Sequence, residues 1–136
     1  MKMTKIILLT LTGSFAAGLG ALAQTATLPP ASTKEGVTYD TDIKAIFDSS
    51  CVKCHGAQKP KARLQLNSLA GALKGSKDGP ILKVGDSANS FIVKSTAHLT
   101  QDQDSWMPPL KNKAGIKPLT ADQIGLIRAW IDQGAK

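Results

Sequence analysis

Two thiols and an imidazole fall within five residues of this chain, Cys51-Val52-Lys53-Cys54-His55. Thiols three positions apart can each add across a vinyl group of one porphyrin, fixing the ring through two thioether bonds. The imidazole that follows directly then lies beneath the iron as its proximal ligand. This spacing is the attachment signature of c-type haem. Cys51 and Cys54 are the only cysteines in 136 residues, so neither is left over for a bridge elsewhere in the fold.

Three other uses of the same residues fit less well. Zinc asks for about four protein ligands, ordinarily a second Cys or His pair at matching spacing. His98 is the one other histidine, and His55 would crowd the cysteine pair. A thioredoxin-like redox pair needs strands alternating with helices around it, a pattern not found here. A disulfide between Cys51 and Cys54 would close too small a loop to add much stability.

Haem iron held by one imidazole has an opposite axial position to fill. Beyond Met1 and Met3, Met107 is the sole methionine, and it sits between Trp106 and Pro108-Pro109, off any apolar helix face. Proline fixes its own backbone angle and biases the preceding residue towards extended structure, which holds Met107 out from its loop. A methionine is ordinarily a core gap-filler, but this setting favours ligation. Thioether sulfur is softer than imidazole and raises the reduction potential. His98 is the competitor, giving a bis-histidine site of lower potential, although a histidine at a helix end commonly meets solvent or helix-end carbonyls. An open position is the third option and would permit oxygen, peroxide or nitric oxide chemistry. Trp106 and Trp130 are candidates to line or flank the pocket.

These groups need a domain to carry them. Lys2 and Lys5, the apolar run from Ile6 to Leu11 with its interrupted continuation to Leu19, and Ala21-Leu22-Ala23 read as a secretory signal over residues 1–23. Gly13, Ser14, Gly18 and Gly20 dilute a run already short for a membrane span, so no stable membrane insertion is expected after cleavage. Export agrees with the motif, because covalent haem attachment in bacteria takes place outside the cytoplasmic membrane. The remainder suffices for one domain with a small core. A buried porphyrin would supply much of its apolar contact. The net charge of +7 drops by two when Lys2 and Lys5 leave. That balance permits docking to an acidic redox partner and falls short of a nucleic-acid footprint. Lys53, Lys59, Lys61 and Arg63 form a candidate docking patch; the alternative is a solvated loop.

Residues 24–38, rich in Thr, Ala and Pro at Gln24 to Gly36, are expected to be a flexible leader. A helix should begin at Tyr39 with Asp40 as N-cap, since Ile43, Ile46 and Phe47 recur at helical spacing. Pro60 keeps Gly56 to Arg63 a polar loop. Ser68 can cap a short helix ended by Gly75, and Ser87 a second that runs to about Thr96, burying Phe91 and Ile92 or Val93. Leu99 to Pro118, with four of its residues Pro or Gly, is a long loop. Thr120 and Gln123 fit a capping box ahead of a last helix with Ile124, Ile127, Trp130 and Ile131 on one stripe. Gly125 inside it should cost about 1 kcal/mol against alanine, for which close approach of another helix is one explanation. No strand-like alternation of useful length is present, so the fold class is all-α.

With these residues in place the chain resembles the class I cytochromes c, and most of all the planctomycete-type cytochrome c domain. Beyond the Cys51–His55 motif, the likeness rests on Leu64-Gln65-Leu66-Asn67-Ser68, Gly85-Asp86-Ser87, Met107-Pro108-Pro109, and Leu119-Thr120 through Trp130 to Ala135. It spans residues 39–136. The resemblance implies a small helical domain wrapped around one covalently bound haem c, with the first and last helices crossing beside it. It also implies that His55 donates its other ring proton to a backbone carbonyl in the following loop. The reading is an exported, periplasmic one-electron carrier, not an enzyme, with His55 and Met107 as axial ligands and periplasmic redox proteins as donor and acceptor. The alternatives are a peroxidase-like haem enzyme, or a haem subunit or sensor with a displaceable sixth ligand.

Overall fold

The computed structural model describes residues 27–136. The expected signal at 1–23 and the start of the leader lie outside the described residues. From Thr38, extended at φ −122° and ψ 160°, the chain winds through a wide π-type turn, Tyr39–Ile43, into α1 (Lys44–Ser50). Thr38, not Asp40, is the cap. Its Oγ1 accepts from Thr41 N at 3.3 Å, while Asp42 Oδ2 accepts from Thr38 N at 3.2 Å. This reciprocal pair satisfies donors that the first turn leaves free, and Asp40 already lies inside the turn.

The single-turn helix α2 (Val52–His55) follows, then α3 (Leu69–Lys74), capped by Ser68 Oγ at 3.1 Å from Gly71 N, and α4 (Phe91–Thr96). The expected cap at Ser87 is corrected. Ser87–Asn89 form a separate 3-10 turn capped by Asp86, and α4 starts only after Ser90. The Ser87 hydroxyl donates instead to Asp132 Oδ2 at 2.8 Å, on the last helix. The burial of Phe91 is corrected as well: it is 48% exposed, whereas Ile92 and Val93 are buried. The stretch before the last helix is a loop holding one 3-10 turn, Gln103–Ser105. Helix α5 (Ala121–Asp132) opens on the expected capping box, Gln123 N to Thr120 Oγ1 at 3.2 Å and Thr120 N to Gln123 Oε1 at 2.9 Å. There is no strand among the described residues, only an isolated bridge between Ser76 and Gly79.

The stripe predicted on α5 packs against the π-turn and α1. Trp130 meets Tyr39 at 6.1 Å and Phe47 edge-on at 6.2 Å, arrangements favoured by the ring quadrupoles. Ile43, Phe47, Ile127, Trp130 and Ile131 are fully buried. One oxygen of Lys136 accepts from both Tyr39 N (2.7 Å) and Trp130 Nε1 (2.9 Å), tying the two ends of the domain together. The Tyr39 hydroxyl reaches the Leu66 carbonyl at 2.9 Å, and Leu66 N in turn donates to His55 O at 2.7 Å. The aromatic core is thereby linked to the Cys51–His55 turn.

The flexible leader is corrected from residue 27 onward. Ser32 N donates to Gly125 O at 2.8 Å, Gln133 Nε2 to Lys34 O at 2.7 Å, and the Arg128 guanidinium to Pro29 O. Gln133 Oε1 also accepts from Val37 N at 3.1 Å. Here lies the reason for a glycine inside α5. A Cβ at Gly125 would stand 2.7 Å from Pro30 O, so what approaches closely is the extended leader and not another helix. An extended strap hydrogen-bonded to a helix has no periodicity of its own, and sequence pattern alone does not reveal it.

Candidate haem site

The break between α1 and α2 builds the site. Cys51, at φ −126°, ends α1 with its N–H on Phe47 O at 2.8 Å. Its own carbonyl then accepts from Cys54 N at 3.0 Å and His55 N at 2.9 Å. Residues at i, i+3 and i+4 of one helical turn share a face, so both thiols and the imidazole are set side by side. They border a cavity of about 490 Å³, whose wall also holds Leu64, Leu66, Ile81 and Ile92 and, from the long loop, Met107. Its size lies within the range of about 300–1,000 Å³ typical of cofactor pockets, and its lining is mainly apolar.

Burial sets the protonation of Cys51 and His55. Both cysteines are free thiols. Burial pushes the Cys51 thiol up to about 12, with Cys54 adding to the effect, so it is held neutral. Burial holds the His55 imidazole below its ordinary value against the opposing pull of the Lys61 carbonyl, so the ring too is neutral. His55 Nδ1 lies 3.2 Å from Lys61 O. A carbonyl can only accept, which puts the proton on Nδ1 and leaves the Nε2 lone pair for a metal. The carbonyl that the resemblance implied is therefore Lys61 O. It is presented by a loop with Lys59, Ala62 and Arg63 all at positive φ. Among the described residues no group of three or more His, Cys, Asp or Glu is placed to hold a bare metal ion. The donor set and the apolar wall fit a haem.

Of the residues predicted from sequence, the cavity gathers Cys51, Cys54, His55 and Met107. It does not gather His98, Trp106 or Trp130. The indole of Trp130 is in the core, a correction to its expected place in the pocket. Its ring is needed between Tyr39 and Phe47, and its Nε1–H is spent on Lys136. Trp106 is likewise off the lining, lying flat on the His98 ring with centroids 5.0 Å apart and planes 3° from parallel. The long loop is knitted by groups the sequence did not single out. Met107 N donates to Ser95 O at 3.1 Å, and the Asn112 side chain bridges Pro109 O and Ile116 O, both at 2.8 Å. Asn112 Oδ1 also accepts from Ile116 N at 2.9 Å, an Asn-centred turn whose residue type was the available signal.

A helical domain that sets two thiols and an imidazole on the wall of an apolar cavity is the arrangement expected of a c-type cytochrome. Residues 51–111 match the family model described as planctomycete cytochrome C. Over those residues the chain is similar to the planctomycete-type cytochrome c domain, a haem-binding class. No curated protein and no solved structure gave a significant match. The matched stretch runs from the attachment motif through Met107 and stops before α5.

Proposed function

We propose that the chain is an exported mono-haem c-type cytochrome that carries single electrons between periplasmic redox proteins. The observation that carries this reading is the convergence of Cys51, Cys54, His55 and Met107 on one apolar cavity. Cys51 and Cys54 hold the porphyrin by thioether bonds. His55 Nε2, its ring oriented by Lys61 O, and the Met107 sulfur would ligate the iron. When bound, haem c supplies a one-electron change of valence. Leu64, Leu66, Ile81 and Ile92 exclude water from it, which raises the potential further. Two protein ligands leave no position for a substrate, so the reading is a carrier and not an enzyme. Lys53, Lys59, Lys61 and Arg63 are all exposed beside the attachment turn and offer a cationic face to an acidic partner. Among the described residues no helix is long and apolar enough to cross a membrane.

The test is the optical spectrum of purified holoprotein, oxidised and reduced, for wild type and Met107→Ala. The wild type is expected to show a sulfur-to-iron charge-transfer band and to keep its pigment after denaturation. The variant is expected to lose the band and gain carbon monoxide affinity. Pigment released on denaturation, or a spectrum untouched by the substitution, would refute the proposal.

A further inference from the structure

We propose that His98 is a positioning residue that clasps the Met107 loop; the proposal rests on the reading of Met107 as axial ligand. His98 follows α4 in a left-handed backbone conformation, φ 57°, which turns its side chain back over the long loop. Its Nε2 is 3.2 Å from Pro108 O, and because a carbonyl only accepts, Nε2 carries the proton and donates. Its ring face lies on Trp106, and the Trp106 Nε1–H continues to Thr100 O at 3.3 Å. One half-buried imidazole thus grips the residue before Met107 by stacking and the residue after it by a hydrogen bond. The Met107 backbone is fixed a third time, by Ser95 O on α4 itself. The whole ligand segment is hung from the end of one helix.

The consequence is specific to the sixth position. An axial thioether is the weaker of the two iron bonds, and its persistence depends on how far the loop can carry the sulfur away. His98 limits that excursion without entering the cavity, so it acts through Met107 and not on the iron. A role confined to folding would instead lower stability and leave ligand exchange untouched.

The test compares ferric holoproteins of wild type, His98→Ala, His98→Phe and Met107→Ala. His98→Phe keeps a ring to stack on Trp106 and removes only the donor, and it covers the case in which His98→Ala fails to fold. The readouts are the charge-transfer band, the rate at which added imidazole displaces the native ligand, and Tm. The His98 variants are expected to keep the band while imidazole enters about fivefold faster, the factor that one lost hydrogen bond corresponds to. His98→Phe should fall between wild type and alanine. The clasp is overturned if Met107→Ala removes the band while both His98 variants exchange at the wild-type rate; the axial reading then survives alone. If Met107→Ala leaves the spectrum unchanged, the axial reading fails and the clasp with it. A spectrum changed by His98→Ala to that of a single-histidine iron would make His98 the ligand and overturn both.

Discussion

Replacing Gly125 with alanine should destabilise this protein, against the ordinary sign for a glycine inside a helix. In an open helix the change gains about 1 kcal/mol. Here the new methyl would sit 2.7 Å from Pro30 O, a backbone atom that no rotamer change can move aside. The leader must lift, which breaks Ser32 N to Gly125 O and loosens the bonds that Arg128 and Gln133 make to Pro29 O and Lys34 O. At about 0.5–1.5 kcal/mol net for each hydrogen bond, three together cost about 1.5–4.5 kcal/mol. Subtracting the helix gain leaves a loss of about 0.5–3.5 kcal/mol. A loss near the middle, about 2 kcal/mol, corresponds to a Tm lower by roughly 9 °C in a domain of this size. The assay is thermal unfolding of the holoprotein followed by far-UV circular dichroism. The same substitution is then made in a chain that begins at Val37. Without the strap, alanine should recover its usual advantage. A higher Tm for Gly125→Ala in the full chain, or an equal drop in both backgrounds, would refute the reasoning.

Tyr39→Phe removes the donor to the buried Leu66 carbonyl and should cost about 1–3 kcal/mol, read as a lower urea midpoint with an unchanged slope. An unchanged midpoint would mean that water replaces the hydroxyl. Lys34, Thr41 and the Thr38 N–H hold the Asp42 carboxyl down to about 2. A depressed folded value stabilises above the unfolded carboxylate value of about 3.9 and is lost as pH falls through about 2. Urea midpoints taken from neutral pH downward should therefore fall between about pH 4 and pH 2 more steeply in wild type than in Asp42→Asn. Parallel curves for the two proteins would contradict this.

How far the sequence could be read depended on the range of the interaction concerned. The Thr120–Gln123 capping box, the Ser68 cap and the stripe on α5 are local, each decided within a few residues, and each is present as read. The cap at Thr38 was missed because two acidic or hydroxylated residues in that turn could serve, and the entry angle of the chain selects between them. Ser87 looked like a cap for the same local reason, yet its hydroxyl is claimed by Asp132 some forty residues later in the chain. Trp130 was read as a pocket residue from its chemistry, whereas three aromatic rings meeting in space assign it to the core.

What the amino-acid order determined by itself is the chemistry at one helical turn: two thiols and an imidazole brought to a common face by positions i, i+3 and i+4. Only the tertiary structure decided that Met107 and not His98 shares their cavity, that Lys61 supplies the carbonyl for His55, and that the leader lies across Gly125. The physical reason is that a helical turn places its own side chains through short backbone hydrogen bonds. Which loop closes over that turn depends on how elements far apart in the chain pack, and on which polar groups that packing has already engaged.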